Sequence, residues 1–157
     1  MSETAVSENP KSAKGFDLET VDGRKRARRQ LFWEDHGFLR AMFHNFHWIS
    51  PEMARANQPS PEEIARYAAL GIKTIINLRG ADDSGAYWLE AEACRQHGIA
   101  LVDAPLSSRK PPTVERILRA KEIFETIRYP ALMHCKSGAD RASLMGVLYR
   151  HFREGAP

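Results

Sequence analysis

Only two cysteines occur in 157 residues, Cys94 and Cys135. That is too few for a disulfide scaffold, and neither a CxxC pair nor a Cys/His spacing suited to zinc is present. The compartment is therefore expected to be reducing, where both thiols stay free. Long apolar runs are missing too. No stretch approaches the roughly eighteen consecutive apolar residues of a membrane span. The opening MSETAVSENPKSAKG has no apolar centre of the secretory kind. A cytoplasmic protein is the expectation, with nothing fibrous or collagenous in its composition.

What is present is enough for one core. Hydrophobic residues make up 43% of the chain, so a single domain is expected. The net charge is +3 and the pI near 9.0, a balance that favours anionic partners without naming one. Much of the excess is one run, Arg24, Lys25, Arg26, Arg28 and Arg29. Its plain reading is a solvated helix face; its functional reading is a weak contact with an acidic membrane through Arg24–Arg29. Phe32, Trp33, Phe38, Phe43, Phe46 and Trp48 follow closely, and these aromatics are expected to pack on the body of the domain. No nucleic-acid partner is expected.

Along the chain, residues 1–22 read as a disordered polar tail and 23–50 as a basic, aromatic, helical segment stopped by Gly37. Residues 51–157 read as the folded domain. Met53–Ala56 suggests a short edge strand. Ser60 and Glu63 form a capping box with Pro61 at the first helical position, so a helix follows over 61–70 and Gly71 ends it. Ile72–Leu78 is a buried strand, Arg79–Gly85 the loop beyond its carboxyl end, Tyr87–His97 a helix and Ile99–Val102 a strand. After an irregular loop over 105–112, Thr113 caps a helix bearing Val114, Ile117, Leu118, Phe124 and Ile127. Ala131–His134 is a short apolar strand. Arg141–Phe152 is a final helix with Leu144, Val147 and Leu148 on one face, and its need for further cover implies a chain truncated at Pro157. This alternation specifies an α/β fold with a central, mostly parallel sheet flanked by helices, in which ligands bind beyond the carboxyl ends of the strands.

The chemistry concentrates in LMHCKSGADR, residues 132–141. A strand runs into a tight loop and then a helix. Five residues between Cys135 and Arg141 can wrap a phosphate so that the backbone N–H groups of Lys136, Ser137, Gly138, Ala139 and Asp140 point at its oxygens. Gly138 supplies backbone freedom. The helix start adds partial positive charge, which binds the dianion and favours the Cys135 thiolate. Arg141 offers a planar fork for two phosphoryl oxygens, which lysine would not. His134, beneath the loop, orients its backbone or is simply a satisfied core histidine.

HCKSGADR matches the HCxxGxxR motif of the protein-tyrosine and dual-specificity phosphatase superfamily. Arg55-Ala56-Asn57-Gln58-Pro59-Ser60 and Gly71 through Arg79 resemble the opening of the compact bacterial and fungal atypical dual-specificity phosphatases. The similarity spans about residues 47–155. It implies a phosphatase domain over 51–157 and a phosphatase-like fold. It further implies in-line attack by Cys135 on phosphorus, a phosphocysteine intermediate that water hydrolyses, and no metal or cofactor. The expected substrate is a phosphorylated protein or a small phosphorylated or lipid molecule.

Two carboxylates compete for the role of general acid. Asp103 stands 32 residues before Cys135 at the end of a predicted strand, and Asp140 lies inside the loop itself. Myotubularin-type lipid phosphatases and some bacterial enzymes resemble this chain in placing Asp just before the loop arginine, which favours Asp140. Helix capping or ion pairing is its plain reading. The family usually has Ser or Thr directly after the arginine; here Ala142 stands there, and Ser143 follows as an imperfect substitute. Lys136 with Asp140 resembles the loops of inositol-phosphate enzymes. Arg79, beside Asp82 and Asp83, is placed to support the loop, while Ser108, Arg109 and Lys110 are candidates for its entrance. Cys94 reads as a packed thiol. A catalytically weak phosphate-binding module is the alternative function. A sulfurtransferase or arsenate reductase fits the loop length, the preceding His and the closing Arg less well.

Overall fold

The computed structural model describes residues 16–34 and 45–157. Most of the expected tail and the Gly37 helix stop lie outside the described residues. Helix α1 spans Val21–Arg29 and continues as a π-helical turn over Gln30–Glu34. Strands β1 (His47–Trp48) and β2 (Met53–Ala56) form a hairpin. There follow α2 (Pro61–Ala69), β3 (Thr74–Asn77), α3 (Gly85–Gln96), β4 (Ala100–Asp103), α4 (Val114–Thr126), β5 (Ala131–His134) and α5 (Asp140–Glu154).

The local starts follow side-chain chemistry. Ser60 Oγ accepts from Glu63 N while Glu63 accepts from Ser60 N, a complete capping box ahead of α2. Ser84 and Thr113 cap α3 and α4 in the same way. The α3 cap at Ser84 makes that helix begin two residues earlier than the sequence pattern suggested.

The sheet order is β1-β2-β5-β3-β4, with β1 antiparallel to β2 and every other pair parallel. Strand β2 is thus interior, between β1 and β5, rather than the expected edge; the two-residue β1 takes the edge. All parallel strands end together, Ala56 opposite His134, His134 opposite Asn77, and Asn77 opposite Asp103.

Alternation along the strands divides the core. Ile76, Met133 and Cys135 face α4 and α5, among Ile123, Phe124, Met145 and Tyr149. Ile75 and Leu132 face α2 and α3, among Ile64, Tyr67, Ala93 and Cys94. Each large aliphatic side chain so buried contributes about 1.5–3 kcal/mol. On α5 the buried face is Ala142, Met145, Gly146 and Tyr149, not the Leu144-Val147-Leu148 row. Val147 is 63% exposed, and Leu144 and Leu148 pack only partly against the core. On α4, Val114 and Leu118 likewise face outward.

Helix α1 belongs to this body. Ala27 is fully buried against α3, so closely that a Cβ on Gly85 would lie 2.7 Å from Ala27 O. Arg24 pairs with Glu92 at 2.8 Å and Arg28 with Glu62 at 2.9 Å. Two of the five basic residues are therefore spent on docking the helix. Of the aromatics, Phe46 stacks on Tyr67, while Phe32 and Trp33 are exposed; Phe38 and Phe43 lie outside the described residues.

Candidate active site

The common strand ends create a shallow edge, and the chain from β5 to α5 turns over it. Cys135 follows the last residue of β5, and the loop closes at Ala139, the N-cap of α5, which has no side-chain cap bond. The first-turn N–H groups of α5 are thus left without side-chain partners, the usual condition for an anion site at a helix start.

The loop's orientation follows from its outer bonds. Lys136 O accepts from Gln58 N at 3.2 Å, and Ser137 O accepts from Asn45 Nδ2 at 3.0 Å. In a planar trans peptide the N–H points opposite to the C=O. With these two carbonyls held outward, the N–H groups of Ser137 and Gly138 turn inward. Gly138 N donates to Cys135 Sγ at 3.2 Å, so sulfur and amide share the concave side. Gly138 is required twice over. Its φ is +74°, and a Cβ there would lie 2.8 Å from Ala56 C and Asn57 N, both backbone atoms. Cys135 is 1% exposed, which restricts approach to its sulfur to the loop.

Arg141 and Asp140 both fall in the first turn of α5, half-buried and exposed respectively. Neither side chain has a hydrogen bond or ion pair among the described residues. Ala142 packs in the same cluster as Cys135. Ser143, the next residue, is exposed, and its Oγ accepts from Arg55 Nη1 at 2.6 Å.

Beneath the loop is a buried polar chain that the sequence reading missed apart from its two ends. His134 Nε2 lies 2.6 Å from Glu90 Oε1, with the side chains 0% and 1% exposed. Glu90 Oε2 accepts from Gln58 Nε2 at 3.0 Å, and Gln58 Oε1 accepts from Arg79 Nη1 at 2.8 Å. Arg79 thus joins this chain through Gln58. Glu90 follows no motif; the only trace in the sequence is a carboxylate on the helix's apolar face.

Asp103 ends β4, two strands from Cys135. Its Oδ1 accepts from Asn77 Nδ2 at 3.0 Å and its Oδ2 from the Tyr87 hydroxyl at 2.9 Å. Burial pushes its carboxyl above the usual value against the opposing pull of those two donors. Beside it lies a cavity of about 160 Å³, lined among others by Leu106, Arg116, Arg119 and Met145 and by no residue of the loop. Beside the entrance candidates, Ser107 Oγ accepts from the N–H groups of Arg109 and Lys110. Asp82 Oδ1 accepts from Ser84 N at the start of α3. Cys94 lies in the core on the opposite face of the sheet from Cys135, and burial raises its thiol. No group of three or more His, Cys, Asp or Glu residues suited to a metal occurs among the described residues.

The chain is similar in sequence and in fold to several known proteins. The dual-specificity phosphatase TpbA of Pseudomonas aeruginosa is 27% identical over 112 residues, 71% of this chain and 48% of its own. The chain thus spans about half the length of that curated relative. A probable chloroplastic NAD kinase 2 of Oryza sativa is 27% identical, with 91% of this chain matched to 17% of that one. Among solved structures, a putative DUF442 phosphatase of Shewanella putrefaciens superposes with a TM-score of 0.59 at 21% identity, covering 71% of both chains. P. aeruginosa TpbA in complex with pTyr gives 0.54 at 21% identity, over 72% of this chain and 66% of that one. These structural likenesses establish the fold. The model of the family described as "DSP-PTPase phosphatase fused to NAD+ Kinase" matches residues 49–156, and the chain belongs to that family.

Proposed function

We propose that this domain hydrolyses phosphate monoesters, with Cys135 as nucleophile and Arg141 as the phosphate clamp. The observation that carries the reading is the Gly138 N–H directed at Cys135 Sγ, within a loop whose neighbouring carbonyls face outward. A phosphoryl oxygen entering the loop takes over that N–H, together with those of Ser137 and the first turn of α5. The Arg141 fork, uncommitted among the described residues, closes over two further oxygens. The thiolate attacks phosphorus in line, the S–P bond forms and the ester P–O bond breaks. Asp140 protonates the leaving oxygen. It then takes a proton from the water that attacks the phosphocysteine, releasing inorganic phosphate and regenerating the thiolate. Loop amides and guanidinium stabilise the charge in both steps.

Asp140 is preferred over Asp103 because its carboxyl is uncommitted and stands in the first turn of α5, next to the loop, whereas both oxygens of Asp103 already accept hydrogen bonds. A phosphoamino-acid or compact phosphate ester is the substrate class, since TpbA, a relative in this fold, is known with pTyr bound. On an aryl phosphate, turnover is expected to survive EDTA and to vanish in Cys135→Ser while vanadate binding persists. Undiminished turnover in that variant refutes the covalent mechanism. Asp140→Asn is expected to slow esters with poor leaving groups far more than those with good ones; Asp103→Asn showing that selectivity instead would reverse the acid assignment.

A further inference from the structure

Glu90 is a buried ionisable side chain. It lies on the face of α3 that packs against the sheet, 1% exposed, among Leu89, Ala93 and Cys94. A carboxylate taken out of water costs several kcal/mol unless each oxygen is satisfied. Here each oxygen is satisfied by a group beneath the phosphate loop. One contacts His134 Nε2 at 2.6 Å and the other accepts from Gln58 Nε2 at 3.0 Å.

We propose that Glu90 is a positioning residue for catalysis, fixing the ring of His134 and thereby the backbone that carries the Cys135 nucleophile; this rests on the Cys135 reading above. The other ring nitrogen, Nδ1, lies 3.4 Å from Cys135 O, an acceptor with no proton to give. As a hydrogen bond this contact needs Nδ1 as its donor, whichever partner holds the proton shared between Nε2 and Glu90. The ring is pinned at both ends, with Glu90 as the fixed point and Cys135 O as the group held. Glu90 reaches the loop a second way. Gln58, oriented by Glu90 through its amide, donates its backbone N–H to Lys136 O and accepts from Arg79. One carboxylate thus governs the two attachments that hold the loop from below, at Cys135 and at Lys136.

Substitution separates position from charge. In Glu90→Gln the new amide can donate to His134 Nε2 and accept from Gln58, so both ties persist without the charge. In Glu90→Ala both are cut. Glu90→Ala is expected to lower kcat about 10- to 100-fold, as losses of supporting hydrogen bonds at reactive centres do, with a smaller change in KM. Glu90→Gln is expected to recover most of that loss. Rates are taken per folded molecule at a temperature well below each variant's Tm. Wild-type kcat in Glu90→Ala would show a purely structural carboxylate and overturn the proposal. So would Glu90→Gln falling as low as Glu90→Ala, since charge rather than placement would then matter. Should Glu90→Ala not fold, imidazole 15N–1H spectra of the wild-type chain decide: a protonated Nδ1 on His134 supports the proposal and a bare Nδ1 overturns it. Cys135→Ser, assayed in parallel, keeps the two readings apart, because activity retained there sinks the Cys135 reading itself.

Discussion

At the scale of single residues, connectivity and burial set two aspartates apart. Asp103 is held by Asn77 and Tyr87 and has its carboxyl raised by burial. A group whose folded value lies above its unfolded one favours the folded state most when protonated. Its contribution is full below the ordinary carboxylate value near 3.8 and is lost as pH rises through the raised value. Asp103→Asn is therefore expected to remove that part of the pH dependence, so that the variant's Tm gains on wild type between pH 4 and neutrality. A Tm difference that stays constant over the range contradicts this. Gly138 makes the opposite kind of demand, for the absence of atoms. Gly138→Ala would set a Cβ 2.8 Å from the backbone at Ala56 and Asn57, at a φ of +74°. The loop must shift, and a displacement of about 1 Å at a reacting centre costs about a hundredfold. A kcat/KM fall of that order with unchanged far-UV circular dichroism is the expected result.

At the scale of elements, what could be read from the sequence was whatever lies close along the chain. The Ser60 capping box, the Thr113 cap and the run of strand, loop and helix from Ala131 to Arg141 each depend on neighbours within a few residues. Strand β2 was readable as a strand but not as an interior one, because its place depends on the two-residue β1 that pairs outside it. The outward faces of α4 and α5 were misjudged for a related reason: several apolar positions fit a helical stripe, and only the sheet decides which stripe is covered. The contacts of Glu90 were not readable, since its partners His134 and Gln58 stand 44 and 32 residues away. Helix α1 gives an element-scale prediction. Gly85→Ala forces a Cβ against the Ala27 backbone, where no flexible side chain can yield. A loss of about 1–3 kcal/mol is expected, a Tm decrease of several degrees for a chain of this size. A Tm equal to wild type would mean that α1 is not firmly seated on α3.

At the scale of the whole molecule, one sheet separates two tasks. Its α4/α5 face holds Cys135 in the same apolar cluster as Ala142 and Met145, while its α2/α3 face holds Glu90 and His134, which support the loop from the other side. The loop sits where both faces and all four parallel strands end together, so the cradle is braced by the whole core and not by its own few residues. No described helix is long and apolar enough to cross a membrane. The most direct test of the covalent reading is to quench the protein in acid during turnover of an aryl phosphate and map the modified peptide by mass spectrometry. The account predicts one added phosphoryl group on the peptide containing Cys135, absent in Cys135→Ser. Continued hydrolysis with that peptide unmodified, or with phosphate on another residue, would contradict it.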